Sequence, residues 1–185
     1  MNRLKHYLPS ETLLIIYNSL FLSHLNYGIG LWGQKSAYML KLQKKAVRII
    51  GKVKYNAHTS PLFKEFNLLK FDHLVEIHDW KFYYKLKHHT LPIYFQQNFN
   101  LPTYIDIHNY ETRGTFRYIP PQTKYNASLS TIKNRLSNLV NNSPDNIREK
   151  IQTHSLHGFV WYLKIMFVRA YSSECCIPNC YICQT

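Results

Sequence analysis

Regularly spaced basic side chains are the feature of this sequence with the clearest chemical meaning. They recur at three- and four-residue intervals, which would place them on one face of a helix. The basic positions are Lys41, Lys44, Lys45, Arg48 and Lys52. A row of ammonium and guanidinium groups on one face is suited to contact successive phosphates of a nucleic-acid backbone. The alternative interpretation is an ordinary solvated helix face.

The charges around these positions help to separate the two interpretations. A solvated face usually mixes Lys with Glu, because opposite charges at helical spacing stabilise each other and like charges repel. No Asp or Glu occurs between Thr12 and Lys64. The unmixed basic face therefore favours contact with phosphate.

The composition of the whole chain also points to an anionic partner. The chain has 23 Lys and Arg residues against 10 Asp and Glu residues, which gives a formal net charge of +13 at pH 7. Such a surface repels itself unless an anion is nearby. Nucleic acid is the first candidate, and the 15 Tyr and 10 Phe residues could add stacking on unpaired bases. An anionic membrane is the second candidate.

A second possible chemical site is a group of thiols near the C-terminus. The four cysteines are Cys175, Cys176, Cys180 and Cys183. Their C-x3-C-x2-C spacing is also used for iron–sulfur clusters, and four thiolates could suit zinc. A structural zinc site usually takes its ligands from two knuckles separated by a loop, so we favour a disordered tail without metal. Thiols confined to the tail cannot cross-link the body of the chain, which suits a reducing compartment.

The sequence has none of the common catalytic motifs. It contains no glycine-rich loop for phosphate, no G-x-S-x-G and no H-E-x-x-H. Two-metal polymerases need carboxylates that hold Mg²⁺, typically on a strand-turn motif, and no aromatic-x-Asp-Asp turn occurs. We therefore expect no enzymatic activity and no cofactor for this chain alone.

Helices are expected to position the basic face. Pro9-Ser10-Glu11 predicts the start of a first helix over 10–24, with Ser10 as its cap. Its apolar side is predicted to be Leu13, Leu14, Tyr17, Leu20, Phe21 and His24. After a bend at 27–30, a second, strongly basic helix ends at Gly51. One face of this helix is predicted to carry Tyr38, Leu42, Lys45 and Ile49, with Leu40, Val47 and Ile50 beside them.

The rest of the chain divides into helical and less regular parts. A short helix is predicted from 59–61 to about Leu69 and a longer one over 72–88, after which Leu91-Pro92 ends the helical region. β-forming residues and prolines predict extended structure or a short hairpin within 98–128. Helical periodicity returns at 129–139, breaks over 141–144 and resumes at 159–171.

A charge-free run raises the question of a membrane segment. It extends from Thr12 to Gln34 and is long enough to span a bilayer. Asn, Ser, His and Gly residues interrupt it, so we interpret it as a buried helix followed by a turn. The basic start of the chain lacks a convincing cleavage site for a signal peptide. We expect an intracellular protein that does not enter a membrane.

Several blocks of the chain together form a pattern that points to one known family. The first block contains Leu8-Pro9, the run Leu14 to Leu20, His24 to Ile29 and Trp32-Gly33. The second is Leu42 to Ile50. Further blocks are Thr59-Ser60-Pro61-Leu62-Phe63 with Leu68-Leu69, and His108-Asn109-Tyr110-Glu111-Thr112-Arg113.

These blocks resemble the region that follows the palm in reverse transcriptases of non-LTR (LINE-type, jockey-like) retrotransposons. The second block is similar to the family's Q-K-K-A-x-R-x-I helix. Val140 to Pro144 stands where the family usually has W-N-x-L-P, and Val140 and Ser143 depart from that pattern.

The resemblance implies a mainly α fold: a helical thumb-like bundle, then a less regular region with short extended segments, then C-terminal helices. We expect a thumb-like region at 1–90, a connector at 91–128, C-terminal helices at 129–174 and the cysteine tail at 175–185. In the family the thumb grips the template–primer duplex, and Lys41, Lys44, Lys45 and Arg48 match that grip. The palm, with its Mg²⁺, would precede this chain. The family also implies RNA and DNA as partners and location in nucleus and cytoplasm. No obligate protein partner is evident from the sequence. The alternative is a domesticated or vestigial non-enzymatic nucleic-acid-binding module, with or without zinc at the cysteine tail.

Overall fold

Helices dominate the structure, as the sequence predicted. The computed structural model describes residues 3–32, 36–108, 117–121, 124 and 131–171. Within these ranges, extended backbone is paired at a single isolated antiparallel bridge, between Thr103 and Tyr118. None of the described helices combines the length and apolar composition that a bilayer crossing requires.

The helices range from single turns to the seventeen residues of the longest. In chain order they are a 3₁₀-helix (Leu4–His6), α1 (Ser10–Ile16), a π-helical segment (Tyr17–Leu22), α2 (Ser23–Asn26), α3 (Ile29–Trp32), α4 (Ser36–Ile50), α5 (Ser60–Glu65), α6 (Phe71–Lys87), α7 (Ile93–Asn98), α8 (Tyr104–His108), α9 (Ile132–Asn141), α10 (Asp145–Thr153) and α11 (Leu156–Arg169). The predicted second helix and the predicted helix over 72–88 correspond to α4 and α6.

The first predicted helix is present, but its N-cap and its buried face differ from the prediction. Pro9 is the N-cap residue and Ser10 already lies inside the helix without a capping hydrogen bond from a side chain. Leu13 and Tyr17 are buried as expected, whereas Leu20 is 62% exposed and His24 is exposed. Leu25 is buried instead.

The π-helical segment explains this difference. Its i→i+5 hydrogen bonding places more residues in each turn than an α-helix does. Core-facing positions that would continue at seven- and eleven-residue intervals from Leu13 therefore fall one residue later, at the partly buried Phe21 and at Leu25. Helical periodicity assumes 3.6 residues per turn, so it wrongly added Leu20 and His24 to a set in which Leu13, Tyr17 and Phe21 were correct.

Three helix ends share one termination geometry. After α4, the Lys52 amide donates to the Ile49 carbonyl and the Val53 amide donates to the Arg48 carbonyl. The same pair of hydrogen bonds recurs after α5 and α6, where Asn67 and His89 occupy the position of Lys52. These three residues have positive φ of 53°, 52° and 53°. This is the Schellman arrangement, which favours glycine but also accepts asparagine. It ends α5 at Glu65, whereas the sequence predicted an end near Leu69.

α4 ends at Ile50, directly before Gly51 as predicted, but the glycine does not supply the terminating conformation. The left-handed conformation belongs to Lys52. A Cβ atom on Gly51 would lie 2.9 Å from Cδ2 at the tip of the Leu62 side chain. A side chain at Gly51 would therefore require Leu62 to shift.

The predicted end of the helical region at Leu91-Pro92 is wrong. Pro92 is the N-cap of α7, a position next to the first helical residue where proline is compatible with helix entry. Helix α10, which begins directly after Pro144, was not predicted from the sequence. In both places the proline was interpreted as a break, and it precedes a new helix instead.

The prediction of extended structure at 104–107 is also wrong, because these residues form α8. The Asp106 carboxylate accepts hydrogen bonds from the backbone amide and the hydroxyl of Thr103, both at 2.7 Å. A Thr-x-x-acid pattern of this kind satisfies free amides at a helix start. The Thr103 amide holds the pKa of Asp106 below its usual value, and the Thr103 hydroxyl adds to this effect. The capping interaction outweighs the β-propensity of Tyr104, Ile105 and Ile107.

The chain forms two compact units, and the divisions fall inside α6 and inside α11. Unit 1 comprises Met1–Ile77 and Tyr162–Thr185, and unit 2 comprises His78–Trp161. The main core of unit 1 contains Leu13, Tyr17, Ala46, Val47, Ile50, Leu62, Phe63, Leu68, Val168 and Tyr171. In unit 2, Trp80 packs edge-to-face against Phe159 and Tyr83, and Asp79 pairs with Arg135 at 2.8 Å. The domain boundaries taken from the sequence remain predictions.

Candidate nucleic-acid interface

The inner face of α4 is anchored in the core of unit 1. Gln43, Ala46, Val47 and Ile50 are all buried, and Gln43 is completely inaccessible to solvent. Their spacing of three and four residues places them on one side of the helix. The helix is amphipathic, so burial of this side determines which residues face outward.

Gln43 fixes the rotation of α4 through hydrogen bonds. Its Nε2 donates to the Tyr17 hydroxyl at 2.9 Å and to the Leu69 carbonyl at 2.8 Å. Its Oε1 accepts a hydrogen bond from the Phe71 amide at 2.8 Å. Burial raises the pKa of Tyr17, with the Gln43 hydrogen bond opposing that shift. A buried amide with three satisfied partners tolerates little displacement, so the outer face of α4 has a defined orientation.

Four of the five predicted basic residues occupy the side of α4 opposite to Gln43. Lys41 and Lys45 are exposed, while Lys44 and Arg48 are half-buried. At 3.6 residues per turn, these four positions fall within an arc of roughly 100°. We call them the α4 basic face. Lys52 is also exposed, but it lies beyond the end of α4 at Ile50 and has a positive φ of 53°, so helical spacing does not place it on this face.

Arg48 differs from the lysines of the α4 basic face because part of its guanidinium has a structural role. Its Nε donates to the Ala57 carbonyl at 2.7 Å, which fastens the loop after α4 back onto the helix. Burial lowers the pKa of Arg48, but arginine remains charged in proteins. Arg48 therefore holds the loop in place and contributes positive charge at the same position.

Tyr38, which helical spacing places on one face with Leu42, Lys45 and Ile49, is an exposed residue of α4. Tyr38 is 63% exposed, and it precedes Lys41 by three residues and Lys45 by seven, so it extends the α4 basic face toward the start of the helix. Tyr55, in the loop that Arg48 fastens, is 89% exposed. Exposed tyrosines beside lysines are suited to stack on bases while the ammonium groups contact phosphate.

The predicted cysteine site and part of one family-like block fall in stretches of the chain that the structure does not describe. Cys175, Cys176, Cys180 and Cys183 lie outside the described residues, as do residues 109–113 of the H-x-Y-x-T-R block. Across the part of the chain that is described, His, Cys, Asp and Glu side chains do not form a group of three or more that could hold a metal ion. The zinc-binding alternative remains a prediction.

Comparison of the chain with protein-family models, with curated proteins and with solved structures found no match.

Proposed function

We propose that this chain grips a nucleic-acid duplex through the α4 basic face, as the thumb and downstream region of a non-LTR retrotransposon reverse transcriptase. In this proposal the chain is not an enzyme by itself, because the palm carboxylates and their Mg²⁺ belong to a preceding part of the polymerase. The observation that carries the proposal is the α4 basic face, an outward row of cations whose orientation Gln43 fixes from inside.

The positions of the family-like residues support the same proposal. Gln43 is the first residue of the Q-K-K-A-x-R-x-I block and has the central structural role in unit 1. In the first block, Gly28 has a φ of 63° at the turn that follows α2, a conformation that favours glycine. Gln43 and Gly28, two of the family-like residues, thus have specific structural roles in this fold.

The alternative of an ordinary solvated face is less consistent with the charges. Between Thr12 and Lys64 the sequence has no carboxylate to offset the lysines. Like charges at helical spacing destabilise a helix by a few tenths of a kcal/mol for each pair. An anionic partner would remove this cost, and a phosphate backbone supplies anions at regular spacing.

A salt series on duplex binding tests the grip. We expect the affinity of the intact chain for a labelled DNA duplex and for an RNA–DNA hybrid to fall steeply as salt rises, because phosphate contacts release counterions. Lys41→Gln/Lys45→Gln removes two exposed cations and should make the slope of log K against log salt shallower by about two. Fluorescence anisotropy from about 50 to 200 mM salt measures both quantities.

The matched control is Lys81→Gln/Lys85→Gln. These lysines are also exposed and four residues apart, but they lie on α6 in unit 2. The control has the same net charge, so it should retain the slope of the parent chain. An equal loss in both double variants, or affinity that does not respond to salt, would reject the grip at α4.

The proposed origin of the chain has a separate test. Translation of the genomic and transcript sequence upstream of the Met1 codon should reveal palm motifs with paired Asp residues. Upstream sequence that encodes unrelated exons in every copy would contradict the polymerase origin, whatever the result of the binding experiment.

A further inference from the structure

Unit 2 contains a cavity of about 420 Å³ that plays no part in the proposed grip. It lies where the end of α6, the end of α9 and the body of α10 meet the extended residue Tyr118. Its polar and cationic lining includes Tyr83, Lys87, Tyr118, Asn141, Arg148 and Gln152. None of the described residues that line it carries a carboxylate. Its volume is within the range of small-molecule sites.

The cationic part of the lining comes from Lys87 and Arg148. Arg148 Nη2 donates to the Val140 carbonyl at 2.8 Å, and its Nε donates to Ser143 Oγ at 3.3 Å, so the guanidinium is held at the C-terminus of α9. Arg148 Nη1 also contacts Asp145, whose side chain is almost fully exposed, at 3.2 Å. The Lys87 ammonium lies 5.7 Å from the centre of the Tyr118 ring and is exposed. Lys87 is therefore the cation best placed to meet an entering anion.

The phenols of Tyr83 and Tyr118 provide a hydrogen-bonding wall. Their oxygens are 3.0 Å apart, so one hydroxyl donates to the other and the accepting phenol retains its own O–H for a ligand. Burial keeps the pKa of Tyr83 far above its ordinary value, and the hydrogen bond to Tyr118 adds to that shift, so the phenol stays protonated. Asn141 fixes Tyr118 by accepting from its amide at 2.9 Å and donating to its carbonyl at 2.7 Å.

The cavity also offers apolar and additional space. Val140 and Ile151, both buried, form an apolar part of the lining. A neighbouring cavity of about 470 Å³ shares Tyr83, Lys87, Thr103 and Tyr118 with the first. The space next to Lys87 can therefore hold a flat, partly apolar group in addition to an anion. A bare inorganic anion would leave most of this space and the apolar wall unused.

We propose that this cavity binds a nucleotide monophosphate unit, with its phosphate at the Lys87 ammonium and its base against the wall formed by Val140 and Ile151. The unit can be a free mononucleotide or one nucleotide of an unpaired strand, because both present the same phosphate and ring. The site lies in unit 2 and uses none of the residues of α4, so it stands independently of the duplex grip.

Calorimetric titration of the full chain with adenosine 5′-monophosphate tests the site. We expect saturable binding, with affinity about tenfold weaker in Lys87→Gln, the loss expected for one charge-assisted hydrogen bond. Adenosine, which lacks the phosphate, should bind the parent chain more weakly and should not distinguish it from Lys87→Gln. Lys85→Gln is the matched control, since Lys85 is also exposed in the last turn of α6 but does not line the cavity.

A competition experiment identifies whether the bound nucleotide is a free ligand or part of a strand. Displacement of the mononucleotide by a short unstructured oligonucleotide would assign the site to a strand, and retention of the mononucleotide would assign it to the free ligand. Both results uphold the site. Absence of saturable binding to the parent chain, or an equal loss in Lys87→Gln and Lys85→Gln, would overturn it. Loss of duplex binding in Lys41→Gln/Lys45→Gln has no bearing on this result.

Discussion

At the residue scale, His73 and Tyr171 form a polar contact inside unit 1. The Tyr171 hydroxyl accepts a hydrogen bond from the Lys70 amide at 3.0 Å, and its oxygen lies 2.6 Å from His73 Nδ1. Because the hydroxyl accepts the Lys70 amide through a lone pair, its own proton is free to be donated to Nδ1 of neutral His73. The imidazole also stacks on Phe167, with ring centroids 4.3 Å apart. Burial lowers the pKa of His73, and the nearby Lys70 lowers it further.

This contact predicts that acid destabilises the fold. The pKa of His73 in the folded state lies below its value of 6.5 in the unfolded state, so the unfolded chain binds a proton more readily. The stabilising contribution of neutral His73 is therefore complete above about pH 7.5 and is lost as pH falls through and below about 6.5. His73→Gln cannot titrate and should reduce the dependence of the unfolding free energy on pH. Urea unfolding at several pH values between about 5 and 7.5 measures it.

Two further variants are needed to interpret the pH dependence of unfolding in His73→Gln. Burial also lowers the pKa of His78, so His73→Gln should leave part of the pH dependence, and His73→Gln/His78→Gln should leave less. His157→Gln, at an exposed position on α11, should leave the pH dependence unchanged. A pH dependence as steep in His73→Gln as in the parent chain would show that the Tyr171 contact does not distinguish the two protonation states.

At the element scale, the π-helical segment sets the phase between α1 and α2. Leu13, Tyr17, Phe21 and Leu25 follow one another at four-residue intervals and remain on the core side. In a regular α-helix, each four-residue step turns the side chain by about 40°, so such a series would drift around the helix. The wider π turn cancels this drift. The extra residue is therefore accommodated among the exposed positions of the segment.

Deletion of Ser19 is predicted to be tolerated for this reason. Ser19 is exposed, and its removal would convert the π turn into an α turn while Tyr17 and Leu25 stay on the same face. The free energy of unfolding should change by no more than about 1 kcal/mol. Deletion of Lys44 from the regular helix α4 provides the contrast, because it rotates Val47 and Ile50 away from the side of Gln43. That deletion should cost more than about 4 kcal/mol or prevent folding. Circular dichroism with urea unfolding measures both, and similar losses would contradict the proposed role of the π turn.

At the scale of the whole molecule, unit 1 is assembled from two separated stretches of the chain. Val168 and Tyr171 pack in the same core cluster as Leu13 and Tyr17. Tyr171 also packs edge-to-face on Phe63 at 6.3 Å. Helices as short as α1 and α5 are marginal in isolation, so their stability depends on this packing. The core of unit 1 is thus complete only when residues beyond unit 2 have been added.

A truncated chain tests this dependence. Residues 1–161 lack the second stretch of unit 1, and we expect α4 to lose its slow amide exchange because its core is opened. Hydrogen exchange with mass spectrometry compares α4 in the truncated and full chains. Trp161→Ala in the full chain changes an exposed side chain next to the truncation point and should preserve protection of α4. Undiminished protection in residues 1–161 would show that the first stretch folds without the second.

The existence of most helices, the dominance of helix and the basic character of α4 were all predictable from the sequence. These properties depend on local periodicity, on residues near helix ends and on the charges of side chains within a few turns. They do not require knowledge of distant partners. For the same reason the residues of the α4 basic face were predicted together, since they lie on one helix.

Tertiary structure alone decided which side chains point inward and which groups meet across the chain. Periodicity placed Leu20 and His24 on the apolar side of the first helix, and the π turn leaves both exposed. Gln43 became the anchor of α4 only through Tyr17, Leu69 and Phe71, and the cavity beside Lys87 exists only because Tyr118, Asn141 and Arg148 converge there. Local sequence encodes helical periodicity because its hydrogen bonds are local. The partners of a buried polar group are far apart in the chain, so only the packed structure determines them.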